Sequence, residues 1–348
     1  MELLRNSIPT VSLAVAAAAL YARAVSMRLR PGLPRLAALL PVVAFLAVVP
    51  LAFTSSAIVR GVAGFFFTWL TAFKVALLAA GRGPLDPALP ALPFIFTAAL
   101  PVKLARRTVA AGATASKAKP SYSLVSCAAK VAVIAALLRV YQFNHRLHLY
   151  VRLALYGVHA YCFLDLLLPC IAAAGAALGM EMEPQFNRPY LVTSLRDFWG
   201  RRWNLMVSAV LRPAVYDPVR ARAGNAAGVV AAFLVSGLMH EVLVCYLTMG
   251  APTGEMAAFF LLHGACCVAE DWCARRLAAS GWRRTPLPRA VATPLVVVFV
   301  AGTAFWLLFP PICRDGGEEV LLEEWAAVAT FFVGAGQKLF RYIYSRSC

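Results

Sequence analysis

His240 and Glu241 stand inside the run FLVSGLMHEVLVCYL, Phe233 to Leu247, whose other residues are apolar, small or neutral. An ionisable pair in such a run is costly and usually faces a polar cavity, a partner or a reaction. Ser236 precedes His240 by four residues and shares its helical face. A neutral imidazole can take a proton from a hydroxyl, which is what general-base chemistry requires. A hydrogen bond to a neighbouring helix would satisfy the same histidine, and the residues alone leave both readings open.

A second concentration of chemistry lies upstream. SLRDFWGRRWNLMV, Ser194 to Val207, holds three arginines, one aspartate, two tryptophans and an asparagine beside Ala-, Leu- and Val-rich sequence. Pro189 and Pro213 bracket the region and limit any helix to the residues between them. Ser194 and Asp197 have the spacing of a capping box. Leu195, Phe198, Trp199, Trp203, Met206, Val207 and Val210 recur at three- and four-residue intervals, which predicts one amphipathic helix with Arg196, Gly200, Asn204 and Ser208 on a second row. Asp197 is then placed to pair with Arg201. Such a helix suits a membrane interface, with tryptophans at headgroup depth and arginines toward lipid phosphate. The same arginines suit the phosphates of a substrate that delivers an apolar tail to the membrane.

The remaining histidines carry less. His145 and His148 fall in a short connection, and His159 shares a span with Asp165 but not at the H-x4-D spacing of glycerolipid acyltransferases. His263, before Gly264, is a candidate to line the same cavity as His240. Glu270 and Asp271 near the end of that span are expected to snorkel or pair. Several chemistries are excluded: Val244 stands where HExxH needs its second histidine, no G-x-S-x-G elbow occurs, and GAGQK at 334–338 is not a P-loop.

The elements that must hold these groups are membrane helices. The 348 residues are 61% hydrophobic and 14% charged, with a mean hydropathy of +0.73. A soluble domain is about half apolar and about one quarter charged. The expected fold is therefore all-α and polytopic, one domain over residues 1–348 with its motif core at about 180–275. A span needs roughly 20 apolar residues. Runs at 8–25, 36–53, 61–80, 122–140, 149–179, 225–249, 256–273, 291–309 and 323–340 qualify, giving eight or nine crossings. Residues 87–101, PALPALPFIFTAALP, are too short and proline-rich for a straight span and suit a re-entrant or interfacial segment. The segment 110–120 is the one small low-complexity linker.

Charge supports that list. With the N-terminus outside, alternate connections carry about two dozen Lys and Arg, while the opposite ones hold Arg5, Arg60, Arg146 and Arg314. The positive-inside rule makes the basic side cytosolic and accounts for the net charge of +17 without nucleic acid. Nine cysteines, with no CxxC pair, read as reduced thiols. His240 lies about fifteen residues into its span, roughly 22 Å from the cytosolic start.

An amphipathic segment ending in Trp-Asn, followed by an intramembrane S-G-x-x-H-E, resembles the membrane-bound O-acyltransferase superfamily. PQFNRPYLVTSLRDFWGRRWNLMVSAVLRPAVY at 184–216, with SGLMHE at 236–241, is similar more narrowly to the plant wax synthases, the long-chain-alcohol O-fatty-acyltransferases, and to their sterol-acylating relatives. Asn187 and Arg188 stand where the family is more acidic, and Arg196 where it carries Gln; these departures bear on substrate choice.

The resemblance implies a fatty acyl-CoA and a long-chain alcohol as substrates, wax ester and CoA as products, no metal or other cofactor, and an endoplasmic reticulum membrane. It implies His240 as the catalytic histidine and Asn204 as its partner. His240 would take the hydroxyl proton, and Asn204 would donate to the thioester carbonyl or orient the reactants. Arg201 and Arg202 are expected at the CoA phosphates, Trp199 and Trp203 beside the acyl or pantetheine path, and Ser236, Glu241 and His263 around the histidine. A sterol or diacylglycerol acceptor is the rival within the class. A transporter relaying protons through His240 and Glu241 is the rival outside it, although neither repeated halves nor paired broken helices are visible.

Overall fold

The computed structural model describes residues 2–104, 124–280 and 287–347; the linker expected at 110–120 lies outside them. Ala-, Leu- and Val-rich sequence with few internal glycines has little alternative to helix once it leaves water. In order the helices are α1 (Glu2–Arg28), α2 (Leu33–Val48), α3 (Ala57–Ala63), α4 (Ala72–Ala79), α5 (Ala91–Ala99), α6 (Leu124–Val140) and α7 (Leu149–Ala177). Then come α8 (Leu195–Asp197), α9 (Leu205–Leu211), α10 (Asp217–Thr248), α11 (Glu255–Ala279), α12 (Arg289–Leu307), α13 (Pro310–Cys313) and α14 (Gly317–Ser347). A π-helical stretch, Gly64–Thr71, joins α3 to α4 in one rod, Ala57–Ala79. Among the described residues no strand forms; a single antiparallel bridge links Leu104 and Met182.

Among the described residues eight helical stretches are long and apolar enough to cross a membrane. They overlap the first eight expected runs, but the sixth starts at Leu205, well before the expected 225, with Gly224 (φ 86°) breaking the helical path of α10 within it. The ninth run, 323–340, falls within α14, which is helical but not among the eight. Its Glu323, Glu324 and Lys338 dilute the apolar run.

The nine residues of α5 rise about 14 Å, too little for a hydrocarbon core. The segment is therefore a short helix and not a span, as its prolines suggest. Buried Lys74 anchors it by donating to the carbonyls of Thr97 (2.7 Å) and Leu100 (2.5 Å), the orphan acceptors at the helix end.

Helix N-termini present the converse problem, and three glutamates from distant helices answer it. Glu324 of α14 accepts from Ala57 N and Ile58 N of α3, and from the Ser56 hydroxyl. Glu270 of α11 accepts from Leu195 N and Arg196 N of α8. Glu241 of α10 accepts from Thr253 N and Ala257 N at the start of α11. Each carboxylate supplies acceptors and opposes the positive end of a helix dipole.

Helices α10 and α11 pack most closely. A Cβ on Gly237 would lie 2.8 Å from the Ala257 Cα, and one on Gly264 would lie 2.8 Å from Phe233 Cβ. Small residues at these two crossings let the backbones approach, which seats Phe260 of α11 against the face of α10 that carries His240.

Candidate active site

His240 Nδ1 lies 2.7 Å from the carbonyl oxygen of Ser236, one turn earlier. A carbonyl only accepts, so Nδ1 bears the hydrogen and Nε2 keeps its lone pair. Ser236 thus contributes its backbone oxygen, not its hydroxyl. The Phe260 ring stacks on the imidazole at 4.2 Å between centroids and the Trp69 ring meets it edge-on at 4.8 Å. Among the described residues Nε2 has no hydrogen-bond partner, and the half-buried side chain retains accessible surface. The result is an oriented imidazole with a free base position in apolar surroundings.

Neither ring was singled out from the sequence. Trp69 belongs to the aromatic run GFFFTWLT, and Phe260 sits three residues before His263. The π-helical turn carrying Trp69 is the local signal, since such turns recur at functional sites. Apolar periodicity does not reveal one.

Glu241 is buried and spends its carboxylate on the α11 cap, so no hydrogen bond joins it to the imidazole. It acts on His240 only by fixing the α10–α11 pair.

The stretch 194–207 departs from the expected continuous helix. Ser194 does cap α8, accepting from Asp197 N at 3.1 Å. After a π turn, Phe198–Arg202, the helix then breaks: Trp203 is extended and Asn204 is left-handed at φ 42° before α9 begins. The PQFNRP loop causes the break, because Asn187 N donates to Arg202 O and Leu205 N donates to Gln185 O. Asparagine tolerates this conformation better than most residues. Its Oδ1 accepts from Val207 N, and no hydrogen bond joins it to His240. α9 packs on the α3–α4 rod, with Met206 and Val210 against Leu70 and Leu77, so Asn204 and His240 are tied to one helix.

Asp197 pairs with Arg202 (2.5 Å), not with the expected Arg201, because the π turn and the extended Trp203 rotate Arg202 inward. Arg202 also donates to the carbonyls of Asn187 and Arg188. Arg201 is exposed and engages no acidic group. Arg196 and Arg275 both pair with Asp271, so the acidic residues ending α11 are paired, not snorkelling.

The tryptophans separate. Trp199 turns inward, its ring 5.6 Å from Phe260, and its Nε1 donates to His263 Nδ1 at 3.0 Å. His263 Nε2 faces the Thr303 hydroxyl at 2.9 Å, so both ring nitrogens are engaged, and its ring neighbours are Trp199, Phe259 and Phe299 while Phe260 stacks on His240. Trp203 stacks on Phe198 and meets Phe186 and Tyr161. The last two also line a cavity of about 230 Å³ beside the Lys130–Asp165 ion pair.

The chain is thus a multi-span helical protein with a half-buried, single-tautomer histidine and a separate basic, tryptophan-rich segment. Residues 182–262 match the model of the Membrane bound O-acyl transferase family. The acyl-CoA–sterol O-acyltransferase 1 of Arabidopsis thaliana is 36% identical over 326 residues, 90% of this chain and 92% of the relative. A probable long-chain-alcohol O-fatty-acyltransferase 1 of the same plant is 40% identical over 317 residues, 87% and 90% of the two chains. The long-chain-alcohol O-fatty-acyltransferase of Simmondsia chinensis is 38% identical over 329 residues, 90% and 92%. The chain belongs to the plant long-chain-alcohol O-fatty-acyltransferase group of the membrane-bound O-acyltransferases and is an acyltransferase.

Proposed function

We propose that the chain transfers a fatty acyl group from acyl-CoA to a long-chain alcohol, with His240 as the general base. The observation that carries the reading is the free Nε2 of a histidine whose Nδ1–H is held by Ser236 O. An alcohol is a poor nucleophile at neutral pH until a base accepts its proton. The hydroxyl oxygen bonds to the thioester carbon as its proton passes to Nε2. The C–S bond then breaks, and the CoA sulfur leaves with that proton. Wax ester and free CoA are the products.

Asn204 is placed in this reading as the assisting amide, since its Nδ2 is not used in capping α9. Exposed Arg201 serves the CoA phosphates, with Arg202 holding the turn beneath it. Trp199 and Trp203 flank the path of the acyl chain and pantetheine. The basic connections lie in the cytosol and the spans in the endoplasmic reticulum membrane, so both apolar chains reach His240 from the bilayer while CoA stays at the basic face. The transporter alternative loses its basis, because Glu241 is committed to a helix cap and the relatives are named acyltransferases.

A sterol acceptor is the second reading, favoured by the 36% identity to a sterol acyltransferase. Membranes containing the protein, given one labelled acyl-CoA and hexadecanol, a sterol or diacylglycerol, separate the two. Wax ester as the main product is expected. Sterol ester in its place would transfer the assignment to the sterol acylators, and normal ester synthesis by His240→Ala would remove the proposed base.

A further inference from the structure

The Trp69 indole is 2% exposed, yet its Nε1–H has no hydrogen-bond partner among the described residues. A buried donor left unpaired costs free energy and is rare in a folded protein. Ser26, Arg152, His159 and Gln185 also hold buried side-chain atoms without partners, but of the five residues only Trp69 touches the His240 ring. The local backbone supports the placement. Trp69 sits in the π-helical turn Gly64–Thr71, whose wider pitch rotates it relative to a regular helix. Gly64, at the start of that turn, lies so close to α10 that a Cβ there would be 2.8 Å from the Tyr246 ring. The close approach brings the indole to the imidazole.

We propose that Trp69 is a catalytic residue whose indole N–H donates a hydrogen bond to the acyl oxygen of the thioester as it becomes an oxyanion. The proposal rests on the reading of His240 as base. When the alcohol oxygen adds to the carbonyl carbon, the C=O π pair moves onto oxygen and the hydroxyl proton goes to His240 Nε2. Negative charge then develops within reach of the imidazole, whose ring neighbours are Trp69 and Phe260, and of these Trp69 alone carries an N–H. An N–H fixed before reaction in a water-poor site stabilises that charge without reorganising. Collapse restores the C=O bond, breaks the C–S bond, and returns the proton from the imidazolium to the CoA thiolate.

Trp69→Phe keeps an aromatic edge against His240 and removes the donor. With saturating acyl-CoA and hexadecanol in membranes, its kcat is expected to fall roughly 10²–10³-fold, with KM for acyl-CoA rising by about tenfold at most. Two substrate analogues separate donation from packing. A ketone analogue of acyl-CoA, with CH₂ in place of sulfur, keeps the oxygen; an S-alkyl-CoA thioether lacks it. Purified Trp69→Phe is expected to bind the ketone about tenfold more weakly than the unsubstituted protein, as for loss of one net hydrogen bond, and the thioether equally well. Equal loss for both analogues, or an unchanged kcat beside an inactive His240→Ala, overturns the role of Trp69 alone. Ester synthesis by His240→Ala overturns the base and this proposal together.

Discussion

Trp199 Nε1 donates to Nδ1 of His263, and the far nitrogen of that ring meets Thr303, so one histidine joins the 198–202 turn to α11 and α12. Because an indole N–H only donates, His263 Nδ1 must accept and Nε2 must carry the hydrogen, donating to the Thr303 oxygen. The Thr303 hydroxyl in turn donates to Phe299 O. The tautomer is opposite to that of His240: His263 is a lock with both ring nitrogens engaged, and His240 is held through Nδ1 alone.

His263→Leu leaves the Trp199 N–H unpaired inside the protein. A loss of about 1–3 kcal/mol is expected, read as earlier thermal unfolding in detergent. Adding Trp199→Phe to that variant removes the stranded donor as well and should restore part of the loss. Equal stability of His263→Leu and the parent would contradict the lock.

Glu241 caps α11 from α10. Glu241→Ala leaves two backbone N–H groups without their acceptor, for an expected cost of about 1–2 kcal/mol. Glu241→Gln keeps one acceptor and should retain more stability. The kcat per folded molecule should follow stability in both. A Glu241→Gln protein as stable as the parent but catalytically dead would show that the carboxylate acts in the reaction.

Arg201 and Arg202 are adjacent but unequal. Arg201→Ala is expected to raise KM for acyl-CoA severalfold, most at low ionic strength, with thermal stability unchanged. Arg202→Ala breaks the bond to Asp197 and the contacts to Asn187 and Arg188, and should lower stability by about 2 kcal/mol. The two variants exchanging these phenotypes would reverse the assignment.

Gly237→Ala forces a methyl into the Ala257 backbone. The helices must part, at a cost of about 1–3 kcal/mol, and Phe260 must withdraw from the imidazole. A fall in kcat larger than the fall in folded protein is expected. A kcat per folded molecule equal to that of the parent would show that the crossing does not set the ring.

Much of the architecture was legible in one dimension. Eight spans follow from apolar runs, the short α5 from its prolines, and the break at Gly224 from the glycine that precedes the run. His240 stood out because few side chains in such a run can exchange a proton. The segment 194–207 misled, because its three- and four-residue spacing satisfies a helix that the protein does not form. The competing hydrogen bonds come from Gln185 and Asn187, and no periodicity within the segment records them. Trp69 was missed for the same reason, as its neighbour at the imidazole is more than a hundred residues away in the chain.

The sequence by itself determined the medium, the crossings and the candidate histidine, since these follow from transfer free energies and from which side chains ionise. Only the tertiary structure decided which nitrogen of each histidine carries its proton, which arginine is free, and which indole lacks a partner. Those are matters of directed hydrogen bonds between distant segments. A bond of about 3 Å depends on the approach of two helices, and composition says nothing of that approach.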